Sequence, residues 1–167
     1  MFILGENNEE IHVDTAEANR NTLISLAEQA KSGINLFSQD LDPKVFDNVD
    51  FEQSIFNLAR KHRSARICIL AQDSARAAQQ GHRLIRLAQK LTSSVFIHNT
   101  AREHKGEIST FMVVDGTGYI YRPRSTSRNY DAVFSFMAPQ RAAELDDLFN
   151  DMWERSTADT QIRRLYI

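Results

Sequence analysis

Side chains that could handle a phosphate-bearing ligand fall in three stretches of this chain. Ser38-Gln39-Asp40-Leu41-Asp42-Pro43 carries Asp40 and Asp42, with Asp47 close behind. Gln72-Asp73-Ser74 opens a segment that continues to Arg76, His82, Arg83 and Arg86. Residues 108–128 contain Asp115-Gly116, a strong hairpin signal, between strand-favouring residues, and Arg122 and Arg124 follow. Carboxylates just past a strand could hold a metal or act as a general base, and arginines near a helix start suit an anion. Each group also has a plainer reading. Asp is well suited to caps and turns. A calcium loop needs regular ligand spacing around a central Gly, and residues 38–47 have neither. The arginines can equally form a solvated basic face.

The chemistry that is missing narrows the choice further. There is no Gly-rich phosphate loop, His-Glu-x-x-His, Cys/His metal cluster or nucleophile elbow. His12, His62, His82, His98 and His104 are scattered, and the single Cys68 sits in an apolar run as a structural thiol. No metal or cofactor is expected.

The 167 residues fit one domain, and 42% hydrophobic with 25% charged residues is an ordinary globular composition. No apolar run is long enough to span a membrane. Met1-Phe2-Ile3-Leu4 is too short an apolar start for a signal peptide, so a reducing cytoplasm is the expected compartment. The net charge of −2 hides an uneven distribution. Residues 1–55 hold 3 basic and 11 acidic side chains, residues 56–128 hold 13 and 4, and residues 129–167 hold 4 and 7. The basic middle either offers a surface to phosphates or pairs with its acidic flanks inside one fold.

The elements that must position these residues follow from periodicity. An edge strand is expected near residues 10–13. A helix capped by Asp14, with Glu17 in a capping-box variant, buries Leu23, Leu26, Ala27 and Ala30 and closes at a left-handed Gly33. A strand over 34–37 leads into the Asp40 loop, where Pro43 blocks any regular element. Asp50 caps a helix burying Ile55, Leu58 and Ala59 and ending at Lys61-His62-Arg63. Residues 66–71 form a strand covered on both faces. One long helix over 74–91 follows, with Gly81 permitting a close backbone approach. A strand over 94–98, a loop carrying Arg102, His104 and Lys105, the hairpin, and a short strand within 129–136 complete the sheet. Pro139 opens a last helix with Leu145, Phe149, Met152 and Trp153 on its apolar face. Residues 157–167 form a tail whose end, Arg163-Arg164-Leu165-Tyr166-Ile167, is apolar enough to pack. The order β-α-β-α-β-α-β-β-β-α predicts a three-layer α/β/α fold with a mixed sheet.

Met112-Val113-Val114-Asp115-Gly116, the element order, and the closing run from Leu145 to Ser156, with Phe149 and then Trp153, resemble the phospholipase D-like superfamily over most of residues 20–156. The resemblance implies one phospholipase D-like half. That superfamily's signature is His-x-Lys-x-x-x-x-Asp, followed by Gly-Ser and an Asn. Aligned on Asp115, Ile108 stands for the histidine and Thr110 for the lysine. Arg122-Pro123 stand for Gly-Ser and Ser125 for the Asn. Isoleucine has no lone pair for attack on phosphorus, and threonine brings no positive charge. The chain is also similar to a bacterial family of phospholipase D-like, non-catalytic domains with no assigned activity, sometimes attached to acetyltransferase-like domains. Phe37-Ser38-Gln39-Asp40-Leu41-Asp42-Pro43, Ala71-Gln72-Asp73-Ser74, Gly81-His82-Arg83-Leu84 and Gly118-Tyr119-Ile120-Tyr121-Arg122-Pro123 carry that likeness.

The resulting expectation is a non-catalytic binding or regulatory module, one domain over 1–167 with residues 1–14 and 157–167 as extensions. Its cleft would be lined by Asp40, Asp42, Asp73, Arg76, His82, Arg83, Arg122 and Arg124 and would hold an anionic ligand. The resemblance implies a homodimer paired across the clefts, and an acetyltransferase-like domain as a partner. The rival readings are a divergent phosphodiesterase or nuclease using His82 or His104, and a protein-interaction domain without a small ligand.

Overall fold

The structure is a computed structural model that describes residues 1–125 and 128–158. Ile11–Val13 forms β1, and Ala16–Glu28 forms α1. Gly33–Ser38 is β2, Pro43–Phe46 is the short α2, Val49–Lys61 is α3 and Arg66–Ala71 is β3. Ser74–Gln79 and Arg83–Lys90 are α4 and α5, followed by β4 at Val95–Asn99 and a 3-10 turn at Arg102–His104. The hairpin is β5, Thr110–Val114, and β6, Gly118–Arg122. β7 is Ala132–Ser135, α6 is Pro139–Glu154 and β8 is Thr157–Ala158. The strands form one mixed sheet in the order β1-β7-β6-β5-β2-β3-β4-β8. β2, β3 and β4 run parallel, and the other neighbouring pairs are antiparallel.

The layers follow from which face each strand residue presents. Leu36, Ile67, Ile69, Met112 and Val114 face α1, α3 and α5 in one core. Phe37, Leu70, Phe111, Val113 and Tyr119 face α6 in the other. β2 and β3 are apolar on both faces because helices cover both. Burying a side chain such as Phe37 or Phe111, each 0% exposed, contributes about 1.5–3 kcal/mol. This three-layer α/β/α arrangement is the fold class expected from the sequence.

Several local expectations need correction. Thr15 caps α1, accepting from Ala18 N–H, and Asn48 caps α3, accepting from Phe51 N–H. The capping oxygen lies one residue downstream of the expected Asp14 in α1 and two residues upstream of the expected Asp50 in α3. Pro43 does not block a helix; it occupies the first turn of α2, where no N–H partner is required. The long helix is two helices, because Gly81 adopts φ 69° and turns the chain between them. A Cβ at Gly81 would meet nothing within 4 Å, so its role is conformational rather than a close approach. Gly33 has the opposite role. It starts β2 rather than ending α1, and a Cβ there would lie 2.9 Å from the Arg66 carbonyl oxygen. Thr157 and Ala158 belong to β8, paired with Asn99 and His98 rather than trailing as a tail. The expected packing of residues 163–167 lies outside the described residues.

Gly33→Ala is expected to destabilise the protein by about 1–3 kcal/mol, because the obstructing atom is backbone. Urea denaturation checks it, and an unchanged midpoint would show that β2 and β3 can separate there without cost.

Candidate functional site

The hairpin turn and the carboxyl ends of the parallel strands lie at opposite ends of the sheet. At the turn, Asp115 and Gly116 both take positive φ, 56° and 63°. The Asp115 carboxylate accepts from the N–H groups of Lys31, Ser32 and Gly33 at 2.8, 2.8 and 3.0 Å, and from Ser32 Oγ at 3.0 Å. It therefore ties the hairpin to the α1–β2 junction, with its oxygens committed to that loop. Loss of this clasp in Asp115→Ala is expected to cost about 2–3 kcal/mol of stability, measurable by denaturant titration.

At the other end, the positions aligned with the phosphodiesterase signature do come together. Thr110 pairs with Arg122 in the β5–β6 ladder, and Ser125 N–H donates to the Ile108 carbonyl at 2.8 Å. The Thr110 and Ser125 hydroxyls lie 2.6 Å apart. The Ile108 side chain is exposed at this edge.

Around them is a network that sequence reasoning saw only in part. Arg122 is 3% exposed. Its Nε donates to the Asn129 carbonyl at 2.8 Å, and its guanidinium lies 4.3 Å from the Tyr130 ring centroid. The Tyr130 hydroxyl donates to Asp42 Oδ2 at 2.7 Å. Asp42 also caps α2 through the Lys44 N–H. Burial lowers the Arg122 pKa against the opposing pull of Asp42, Tyr130 and Asp40. Burial, then the bond to Asp42, pushes the Tyr130 phenol up to about 12. Asp40 is raised by desolvation and by neighbouring Asp42, with Arg122 and Arg76 acting against both. Tyr130 and Asn129 were missed because they follow the hairpin in sequence, and only the fold carries them back over the Asp40 loop.

Of the expected site residues, Asp40, Asp42 and Arg122 therefore form one cluster, and exposed Arg76 lies within electrostatic reach of Asp40. Asp73 caps α4 through the Arg76 N–H at 3.2 Å, at the carboxyl end of β3. Arg124 is exposed just past β6. His82 and Arg83 are drawn elsewhere. Arg83 bonds Asp47 at 3.1 Å. Desolvation pushes Asp47 up, but the Arg83 hydrogen bonds outweigh it and hold the carboxyl low.

His82 is 1% exposed, and its ring is engaged at both nitrogens. Nδ1 accepts from Leu84 N–H at 3.1 Å and caps α5, which leaves Nε2 as the donor to the Leu41 carbonyl at 3.0 Å. A ring so placed is closed to solvent, with both nitrogens used inside the fold. Its contribution is to hold Leu41, a residue at φ 54°, whose N–H is also held by Ser38 Oγ at 3.0 Å. A non-glycine residue in this region costs energy and persists only when its surroundings fix it.

His104 has Nε2 3.9 Å from Asp151, and its buried Nδ1 has no hydrogen-bond partner among the described residues. Gln72 Nε2 donates to the Glu107 carbonyl at 2.8 Å and tacks the His104 loop onto the end of β3. Among the described residues, no group of three or more His, Cys, Asp or Glu could hold a metal ion. No helix among them is long and apolar enough to cross a membrane.

The sheet order and the paired signature positions place the chain among proteins of phospholipase D-like fold. By sequence, residues 15–165 match the model of a family described as "Domain of unknown function (DUF7931)", and the chain belongs to that family. No curated protein matches it. Solved structures similar to it include TrmBL2, an archaeal chromatin protein described as showing a novel mode of DNA binding. That likeness has TM-score 0.66 and 14% identity over 90% of this chain, and this chain spans 54% of TrmBL2. Nuc from Salmonella typhimurium, a phospholipase D family member, gives TM-score 0.64 and 14% identity, covering 90% of this chain and 97% of Nuc. NucT from Helicobacter pylori gives TM-score 0.64 and 10% identity, covering 90% and 99%.

His82 makes a pH-dependent contribution. Burial lowers its folded pKa below 6.5, despite the opposing influence of Asp47 and the Leu41 carbonyl. Below 6.5 the unfolded chain therefore binds more protons than the folded one, and stability falls as pH drops through that value. His82→Gln is expected to flatten this slope. Denaturation midpoints measured across weakly acidic pH check it, and an unchanged slope would assign the titration to other groups.

Proposed function

We propose that the chain is a non-catalytic phospholipase D-like module, one domain over residues 1–167, that holds a phosphate-bearing ligand at the carboxyl edge of its sheet without cleaving it. The observation that carries this reading is the pair Ile108 and Thr110 at the paired signature edge, with Thr110 Oγ1 engaged by Ser125. Isoleucine has no lone pair to attack phosphorus, and threonine brings no positive charge to neutralise its oxygens. Two of the nearby acids are engaged as well: Asp42 in a cap and a tyrosine bond, Asp73 in a cap. Support for an anion comes from Arg76 on α4, Arg102 and Lys105 at the 3-10 turn, and Arg124 just past β6, all exposed at this edge. The DNA binding described for TrmBL2 makes single-stranded DNA a reasonable probe alongside inorganic phosphate.

A short oligonucleotide or phosphate is expected to raise the thermal midpoint at low salt. A ligand at a hundred times its Kd stabilises by about 2.7 kcal/mol. The gain should fade at high salt and in Arg76→Ala with Arg124→Ala. No shift with either anion would leave this reading without support.

His104 motivates a second reading, a divergent phosphodiesterase, because its ring has a nitrogen unpartnered among the described residues and a carboxylate at 3.9 Å. Bis-p-nitrophenyl phosphate separates the two. The binding module gives no release of nitrophenol above the blank, whereas turnover abolished by His104→Ala would establish the enzyme.

A further inference from the structure

The two outer layers of the sheet carry opposite charge. On α6 the solvent face presents Glu144, Asp147, Asp151 and Glu154, at the spacing of one helical stripe. Glu144 pairs with Arg141 in its own helix and Asp151 lies beside His104, while Asp147 and Glu154 have no ion pair among the described residues. On the opposite side of the sheet, α3 and α5 enclose a groove of about 340 Å³. Phe56, 37% exposed, and Leu87 give it apolar surface, and Arg86 and Lys90 stand along one wall. Arg60, one turn on from Phe56, extends the basic side. None of these three cations has an ion pair among the described residues, and Glu52 is the acid in the groove.

We propose that copies of this chain associate head to tail, the acidic face of α6 on one copy lying in the basic groove between α3 and α5 of the next. A second copy is the occupant because it supplies the complementary surface itself. From Glu144 to Glu154 the stripe runs about 15 Å, a little longer than α5 at about 12 Å. Exposed Ala143 and half-buried Leu148 beside the stripe give it an apolar strip to set against Phe56. The two surfaces lie on opposite faces of one sheet. The contact is therefore heterologous: a dimer keeps one of each surface free, and association continues past the dimer. This differs from a closed pair across the carboxyl edge, and it leaves that edge open to a ligand.

Sedimentation velocity of the unsubstituted chain tests it. The weight-average sedimentation coefficient is expected to rise with concentration past the dimer value at about 20 mM salt. It should return to the monomer value at about 500 mM, where the Debye length shrinks from about 20 Å to about 4 Å. Arg86→Glu with Lys90→Glu, and separately Asp147→Lys with Glu154→Lys, should each be monomeric at low salt. Mixing the two variants should restore association, because each then offers what the other lacks. Circular dichroism checks that both fold; if one does not, the concentration and salt series of the unsubstituted chain decides. A monomer at every concentration, a species that stops at the dimer, or a mixture that stays monomeric would overturn the proposal.

Discussion

The Asp115 carboxylate is the interaction on which the rest of this structure depends. It joins the hairpin to the head of the central parallel strands outside the ladder, through three N–H groups and a hydroxyl of residues 31–33. The Asp115 N–H returns the contact by donating to the Gly33 carbonyl at 2.9 Å. Gly33 in turn lies against the Arg66 carbonyl, so β5, β2 and β3 are set in register at one point. With that register fixed, Phe37 meets Phe111 on the α6 side, and Leu36 meets Met112 on the other. A slip of one residue would exchange the two cores.

The same register delivers Ile108, Thr110, Arg122 and Ser125 to one edge at the far end of the hairpin. A buried arginine stacks on a tyrosine where small residues would close the site, and two aspartates balance its charge. Leu41 in a left-handed conformation, held by Ser38 and by His82, fixes the loop that carries those aspartates. Strain retained beside a buried charge cluster marks a place where local stability has been given up. The two ends thus divide the labour, one setting register and the other presenting an ordered polar surface.

Much of the fold was legible in the sequence because burial imposes it. The continuous apolar run of residues 66–71 could only be a covered strand, and the Asp115-Gly116 pair could only be a turn of positive φ. The apolar face of α6 was equally plain. What could not be read depends on contacts distant in sequence. Gly81 and His82 sit inside a helical pattern that does not break, and the break becomes visible only when the His82 ring reaches back 41 residues to Leu41. Asp40, Asp42 and Arg122 were identified by type, but Tyr130, which joins Asp42 to Arg122, gave no signal of its own. The capping errors at Thr15 and Asn48 have a local cause. Adjacent polar residues compete to cap, and packing chooses between them.

The most direct measurement joins binding and chemistry in one sample: a simple phosphodiester mixed with the isotope-labelled protein, followed by phosphorus and amide NMR together. A binding edge without a nucleophile predicts amide shifts confined to residues 38–42, 72–76 and 122–125, with a phosphorus signal that remains that of the intact diester. Appearance of a phosphomonoester, or amide shifts at none of those residues, would contradict it.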